Sequence, residues 1–122
     1  ISDPDMLYDY AVSPPNFPGQ KRMILFFDQI FHDEIKNIEV FQHTIEGMLP
    51  RVLEGYNFTC FAYGMTGAGK THTMLGDIYR TSTGERGLCF LTVEKLFDLI
   101  KKQRSPSKEF EVKISYLEIY NE

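Results

Sequence analysis

Apolar and polar positions recur along this chain with two different periods, and the change of period marks its elements. Ile38, Phe41, Ile45, Met48, Leu49 and Val52 recur at helical spacing, which predicts an amphipathic helix from about Asn37 to Glu54. Gly55 follows where a left-handed C-terminal cap belongs. Pro50 falls inside that span, where it removes a hydrogen bond, so the helix is expected to kink there. Cys89, Val93, Leu96, Phe97 and Ile100 define the apolar face of a second long helix, which ends in the solvated basic tail Lys101-Lys102-Gln103-Arg104. Unbroken apolar runs read differently. Met23-Ile24-Leu25-Phe26-Phe27, closed by Asp28, is a strand, and Phe58-Thr59-Cys60-Phe61-Ala62-Tyr63 reads as a strand buried on both faces. Phe110, Val112 and Ile114 alternate with Glu111, Lys113 and Ser115, so a half-buried strand begins there and turns apolar on both sides at Tyr116-Leu117.

Two stretches break the pattern. Residues 1–22 hold Pro4, Pro14, Pro15, Pro18 and Gly19, and read as an irregular lead-in with a short strand around Leu7–Val12. Gly76 to Gly87 is polar, with Thr81-Ser82-Thr83-Gly84 at its centre, and is expected to be a mobile surface loop. The remainder, residues 23–122, reads as one α/β unit without repeats.

The chemistry sits between the apolar run and the helix that follows it. Gly64-Met65-Thr66-Gly67-Ala68-Gly69-Lys70-Thr71 matches the phosphate-binding pattern G-x-x-x-x-G-K-[ST]. Glycines let the backbone curl so that successive N–H groups point inward, and phosphate oxygens can approach where no side chain stands. Lys70 brings a point charge to the β and γ phosphates, and the Thr71 hydroxyl suits a Mg²⁺ ligand. A helix opening near Lys70 adds its unpaired N–H groups and positive dipole end. Strand, glycine-rich loop and helix is the setting this motif requires. A partner acid for the metal shell is less clear. Asp28 closes an apolar strand but precedes the loop, where a structural strand-end carboxylate is the other reading; Glu118 and Glu122 are weaker candidates.

Composition narrows the classes. With 122 residues the chain holds one domain at most. No apolar run approaches a membrane span, and the acidic start Ile1-Ser2-Asp3-Pro4-Asp5 is no signal peptide. A net charge of −4 argues against a nucleic-acid binder. Cys60 and Cys89 lack metal-ligand spacing and lie in apolar segments, so buried free thiols in a reducing compartment are expected. An opening Ile in place of Met suggests a chain excised from something longer.

Three blocks resemble one family. They are Gly55-Tyr56-Asn57-Phe58-Thr59-Cys60-Phe61-Ala62-Tyr63-Gly64 with Thr66-Gly67-Ala68-Gly69-Lys70-Thr71-His72-Thr73-Met74, the upstream Phe26-Phe27-Asp28-Gln29-Ile30-Phe31, and the closing Ser115-Tyr116-Leu117-Glu118-Ile119-Tyr120-Asn121-Glu122. In that order and spacing they resemble the kinesin motor domain, over residues 26–122. The resemblance implies a P-loop NTPase-type central mixed sheet with helices on both faces, incomplete over these residues, and MgATP or MgADP as cofactor. Thr66 to Thr71 would wrap the phosphates, and His72 would pack its ring against the adenine; a solvated first-turn histidine is the alternative. Asp28 falls in the family's strand-end block, which demotes it as a metal acid. Gly76 to Arg86 corresponds to the family's long loop near the nucleotide, a region where inhibitors act. Related sequences also carry a proline inside the first helix, as Pro50 does here. Gly67-Ala68 and Met74-Leu75-Gly76 resemble branches that act on chromosomes or microtubule ends.

The same comparison shows what residues 1–122 do not contain. They hold no Arg-x-Arg-Pro-like adenine clamp, no serine-rich switch and no Asp-x-Ala-Gly switch. Microtubule surfaces are acidic, and this acidic segment supplies no basic docking face; Lys101, Lys102, Arg104 and Lys108 read as a solvated helix end. The expectation is therefore the ATP-binding part of a microtubule motor of the cytoplasmic cytoskeleton or spindle. It would meet the microtubule through other regions and have neither nucleic acid nor membrane as partner. On its own the segment would bind nucleotide weakly, would not turn over and would self-associate. A different P-loop enzyme such as a small-molecule kinase, or a non-catalytic nucleotide-binding scaffold, are the other classes this pattern admits.

Overall fold

A computed structural model describes residues 8–12, 23–77 and 84–120. The chain divides into two compact units, Ile1–Ile35 and Lys36–Glu122. In the first, strands β1 (Tyr8–Val12) and β2 (Met23–Phe27) pair antiparallel, with Tyr8 opposite Phe27 and Val12 opposite Met23. The apolar run at Met23 thus forms the strand its composition predicts. Pro14, Pro15, Pro18 and Gly19 lie outside the described residues, as do residues 78–83 and with them most of the expected surface loop.

The second unit is helical at its centre. The helix expected from Asn37 to Glu54 is divided into α1 (Asn37–Thr44), a 3₁₀ turn (Glu46–Met48) and α2 (Leu49–Leu53). Pro50 explains the division. In a continuous helix its nitrogen would face the Glu46 carbonyl, to which it has nothing to donate and against which its ring would clash. Here the Leu49 N–H takes that carbonyl, and Pro50 becomes the second residue of a new helix, where a missing N–H costs nothing. The expected kink is therefore a tightened turn with a fresh helix start.

Gly55 closes α2 as its position predicts. Its φ is +101°, its N–H donates to the Val52 carbonyl at 3.0 Å, and the Tyr56 N–H reaches back to the Arg51 carbonyl at 3.1 Å. This pair of bonds is the Schellman arrangement, which satisfies carbonyls that the helix leaves unpaired. The Arg51 guanidinium also lies over the Tyr56 ring, 5.0 Å from its centroid, and helps set the direction in which the chain leaves.

The remaining helices are α3 (Lys70–Leu75) and α4 (Leu88–Gln103). Phe41, Ile45 and Leu49 form one stripe and meet Leu88 and Leu91 of α4, with Val40, Met74 and Leu99 packed around them. Each fully buried side chain of this kind contributes roughly 1.5–3 kcal/mol. The face that α4 buries most deeply is not the predicted one, of which only Leu96 and Ile100 are half-buried. Val93 and Phe97 are 46% and 44% exposed, and Cys89 is exposed as well. The buried stripe runs through Thr92 and Lys95, polar residues that conceal it from a pattern reading, whereas the open stripe is uninterrupted. Lys95 is accommodated at the edge of the packed face by an ion pair with Glu46.

Two predicted strands have no ladder. Phe58–Tyr63 and Phe110–Tyr116 are assigned no regular structure and pair with no neighbour among the described residues. Phe61 is 80% and Ile114 92% exposed. Apolar periodicity says that a segment needs cover on its faces; it does not supply the adjoining strands. The β1–β2 pair is the whole of the sheet structure among the described residues, and it is antiparallel.

At the foot of α3 two glycines bring backbones into direct contact. Gly76 pairs with Arg86 in an isolated bridge, and the Asp77 N–H donates to the Glu85 carbonyl at 2.8 Å. A Cβ on Gly87 would collide with backbone atoms of Met74, Leu75 and Gly76, and one on Gly76 would collide with those of Glu85 to Gly87. Gly47, in contrast, has open space around it. Gly87→Ala is therefore expected to destabilise the protein by about 2–3 kcal/mol, because backbone cannot yield as a side chain can. Gly47→Ala should leave the urea midpoint nearly unmoved, and equal midpoints for the two variants would refute the close approach.

Candidate functional site

The loop between Tyr63 and α3 owes its shape to glycine. Gly67 and Gly69 have φ of +83° and +87°, a region in which a side chain is strained. The Ala68 N–H closes a turn onto the Met65 carbonyl at 3.2 Å, and the Gly69 carbonyl accepts the first α3 bond from Thr73 at 2.9 Å. The loop thus leads directly into the helix. Thr66, Gly67, Gly69, Lys70 and Thr71 line one side of an open hollow of about 370 Å³.

Lys70 folds back over this loop. Its Nζ donates to the Gly64 and Met65 carbonyls, at 2.8 Å each. A lysine ammonium has three donors, so the cation is held in place with capacity left for an anion. Thr71 lies exposed on the first turn of α3 and lines the same hollow. A cation, an adjacent hydroxyl and an open, glycine-turned backbone suit a polyphosphate with its metal: the donor set is hard and oxygen-seeking, and no side chain fills the hollow.

Not every expected residue sits in that hollow. Gly64 and Met65 contribute carbonyls that hold Lys70, and Ala68 contributes to the turn. His72 is turned toward Glu85, with Nε2 3.7 Å from Oε2, and its side chain is 56% exposed. The Asn37 Nδ2 donates to the His72 carbonyl at 3.0 Å, and the Asn37 backbone N–H donates to Glu85 Oε1. Asn37 and Glu85 escaped the sequence reading. One was only the first residue of a helix and the other a lone acid in a polar stretch, and neither position carries a motif. Asp28 belongs to the first unit, Glu118 is exposed, and Glu122 lies outside the described residues.

Both cysteines are exposed, contrary to the expectation of buried thiols. Cys60 lies on the unpaired segment before the loop, and Cys89 lies on the open stripe of α4, so neither receives the cover that its apolar neighbours predict. Crowding by nearby atoms still pushes the Cys60 thiol above its ordinary range, and the Cys89 sulfur adds to the effect. No helix among the described residues is long and apolar enough to cross a membrane.

A glycine-turned loop that delivers a lysine and a threonine to the start of a helix is the arrangement by which P-loop proteins are known. Comparison with known proteins specifies the class. The kinesin motor domain family model matches residues 15–122. The chain is 47% identical over 102 residues to kinesin-like protein KIF18B of Mus musculus, covering 84% of this chain and 12% of that protein. It is 40% identical to kinesin-like protein KIN-8B of Arabidopsis thaliana over 122 residues, which is 100% of this chain and 14% of the relative. Kinesin-like protein KIP3 of Saccharomyces cerevisiae is 42% identical over 96 residues, covering 79% of this chain and 11% of the yeast protein. The chain belongs to the kinesin motor domain family, whose members are motor proteins of the microtubule cytoskeleton and microtubule-stimulated ATPases with the P-loop NTPase fold. It spans about an eighth of the length of the relatives it matches.

The raised Cys60 pKa has a definite sign in solution. Less thiolate is present at a given pH, so alkylation of Cys60 by iodoacetamide at pH 8 should run slower than that of a free cysteine. Its half-maximal rate should lie at higher pH, and Cys89→Ser should bring it part of the way back. Peptide mass spectrometry of a labelling time course reads both effects, and a free-cysteine profile would contradict the assignment.

Proposed function

We propose that residues 1–122 form the ATP-binding part of a microtubule motor, in which hydrolysis of MgATP drives movement along microtubules or their remodelling. The observation that carries this reading is the Gly64–Thr71 loop. Its αL glycines and its lysine stand in the arrangement a triphosphate requires, inside the span that the family model matches. Lys70 would exchange its contacts with the Gly64 and Met65 carbonyls for β and γ phosphate oxygens, and Thr71 would hold Mg²⁺, which when bound would supply charge neutralisation at the phosphates. The chain's own share is to bind and orient: Thr66, Gly67, Ala68, Gly69 and Thr71 wrap the phosphates with backbone donors, and His72 takes the adenine ring.

Around this site we place a central mixed sheet with helices on both faces, in which Phe58–Tyr63 and Phe110–Tyr116 become paired strands. The exposure of Phe61, Tyr63, Ile114 and Tyr116 supports that reading, because such surface is stable only when covered. The microtubule is met through other parts of the protein, and the site of action is the cytoplasmic cytoskeleton, including the spindle. The acidic balance of the chain favours neither nucleic acid nor an anionic membrane as partner. The 122-residue chain alone binds MgATP weakly, does not turn it over, and associates with itself through these uncovered segments; a monomeric sedimentation profile would remove the last point.

Lys70→Ala tests the reading. In the full-length protein it should lower microtubule-stimulated ATP turnover by about 100-fold or more, the loss typical of removing a preorganised charge from a phosphoryl-transfer site. Unchanged turnover would overturn the assignment. Turnover by the isolated chain at the rate of the full-length protein, abolished by Lys70→Ala, would refute its inactivity.

A further inference from the structure

The junction behind α3 goes beyond what the phosphate loop requires. Asn37 is the one buried polar residue among the described residues, at 5% exposure. Its side-chain amide is directed at the backbone oxygen of His72, which also accepts the Gly76 N–H at 2.8 Å. The His72 backbone is thereby tied both to its own helix and to the start of α1. Glu85 completes the arrangement with both carboxylate oxygens. Oε1 accepts the Asn37 backbone N–H, one of the donors that the start of α1 leaves unpaired, while Oε2 faces the His72 ring at 3.7 Å. Glu85 is itself anchored through its carbonyl to Asp77 and by the glycine contact at Gly76 and Gly87.

A buried amide and a two-handed carboxylate are an expensive way to orient a histidine that does nothing. Burying a polar group is tolerated only where its partners are fixed, and here the partners on both sides belong to His72 or lead to it. One edge of the ring, at Nε2, faces the Glu85 carboxylate at 3.7 Å, while more than half of the side chain stays open to solvent. A ring so held presents a face to a flat ligand without first having to be ordered. His72 lies two residues after Lys70 on the same short helix that the Gly64–Thr71 loop opens.

We infer that Asn37 and Glu85 are positioning residues for nucleobase recognition, which hold His72 ready to stack on the purine of a nucleotide whose phosphates lie in the Gly64–Thr71 loop. The inference rests on the proposed nucleotide-binding reading of that loop. Asn37 fixes the backbone of His72 and Glu85 fixes its ring, so the two act through His72 and touch no reacting atom. Their effect belongs to the base half of the ligand, not to the phosphate half.

The test compares Mg²⁺-ATP with Mg²⁺-tripolyphosphate, which lacks the base, as ligands of the full-length protein. Glu85→Gln is chosen because it keeps an oxygen for the Asn37 N–H and removes only the charge facing His72. It should weaken ATP about two- to tenfold, the range of one hydrogen bond or modest charge contact, and leave tripolyphosphate unchanged. In a His72→Ala background the same substitution should have no further effect on ATP, since coupled residues are not additive. Equal losses on both ligands, or a full Glu85→Gln effect that persists without His72, would overturn the inference. So would Glu85→Gln binding ATP as the wild type does. His72→Ala separates the two levels of the argument. Loss of ATP alone supports base stacking, so that a silent Glu85→Gln beside it defeats only the positioning role; equal loss of ATP and tripolyphosphate defeats the stacking itself. Thermal unfolding of each variant identifies any equal loss that arises from a damaged fold, which also counts against the inference.

Discussion

The closest constraint in this molecule is the contact of two backbones at Gly76 and Gly87. It joins the end of the short helix that follows the phosphate loop to the beginning of the longest helix, with no side chain between them. Six residues of helix have little stability of their own, because nucleation is costly and few bonds follow it. The position of α3 is therefore set from outside: by Met74 against the core, by Asn37 on the His72 carbonyl and by this crossing. What α3 carries at its other end, Lys70 and Thr71, takes its place as a result.

The glycine-turned loop was legible because its backbone signature is local. Glycines at fixed spacing, followed by lysine and threonine, state a backbone shape and a charge within a few residues, and the positive φ values of Gly67 and Gly69 agree with that reading. The cap at Gly55 was legible for the same reason. Features that depend on partners far along the chain were not. The buried face of α4 was concealed by Thr92, whose hydroxyl donates to the Leu88 carbonyl of its own helix, and by Lys95, whose tolerance in the packed stripe depends on Glu46 in another helix turn. Asn37 and Glu85 meet across a long separation in sequence, and no periodicity records such a meeting.

The open surfaces follow one logic. Cys89, Phe90, Val93 and Phe97 on α4, Phe58, Phe61 and Tyr63 before the loop, and Ile114, Tyr116, Leu117, Ile119 and Tyr120 are all exposed. A helix with two apolar stripes is built to lie between two layers. Here one layer is provided by α1 and α2, and the second stripe of α4 and the unpaired segments carry the apolar surface that a sheet layer would bring. The sequence pattern of a sandwiched helix is thus present in full even where only one of its neighbours is in contact.

The fold of Lys70 over its own loop has a consequence for how an anion would be received. The ammonium already rests on two carbonyl dipoles, so the loop carries an internal substitute for an incoming oxyanion. An arriving phosphate would not meet a bare cation across open water; it would displace neutral dipoles from one already partly desolvated. The free energy of that step is the difference between charge meeting charge and charge meeting dipole, smaller than the charge–charge term alone. A loop arranged in this way would keep its lysine in place with or without an anion.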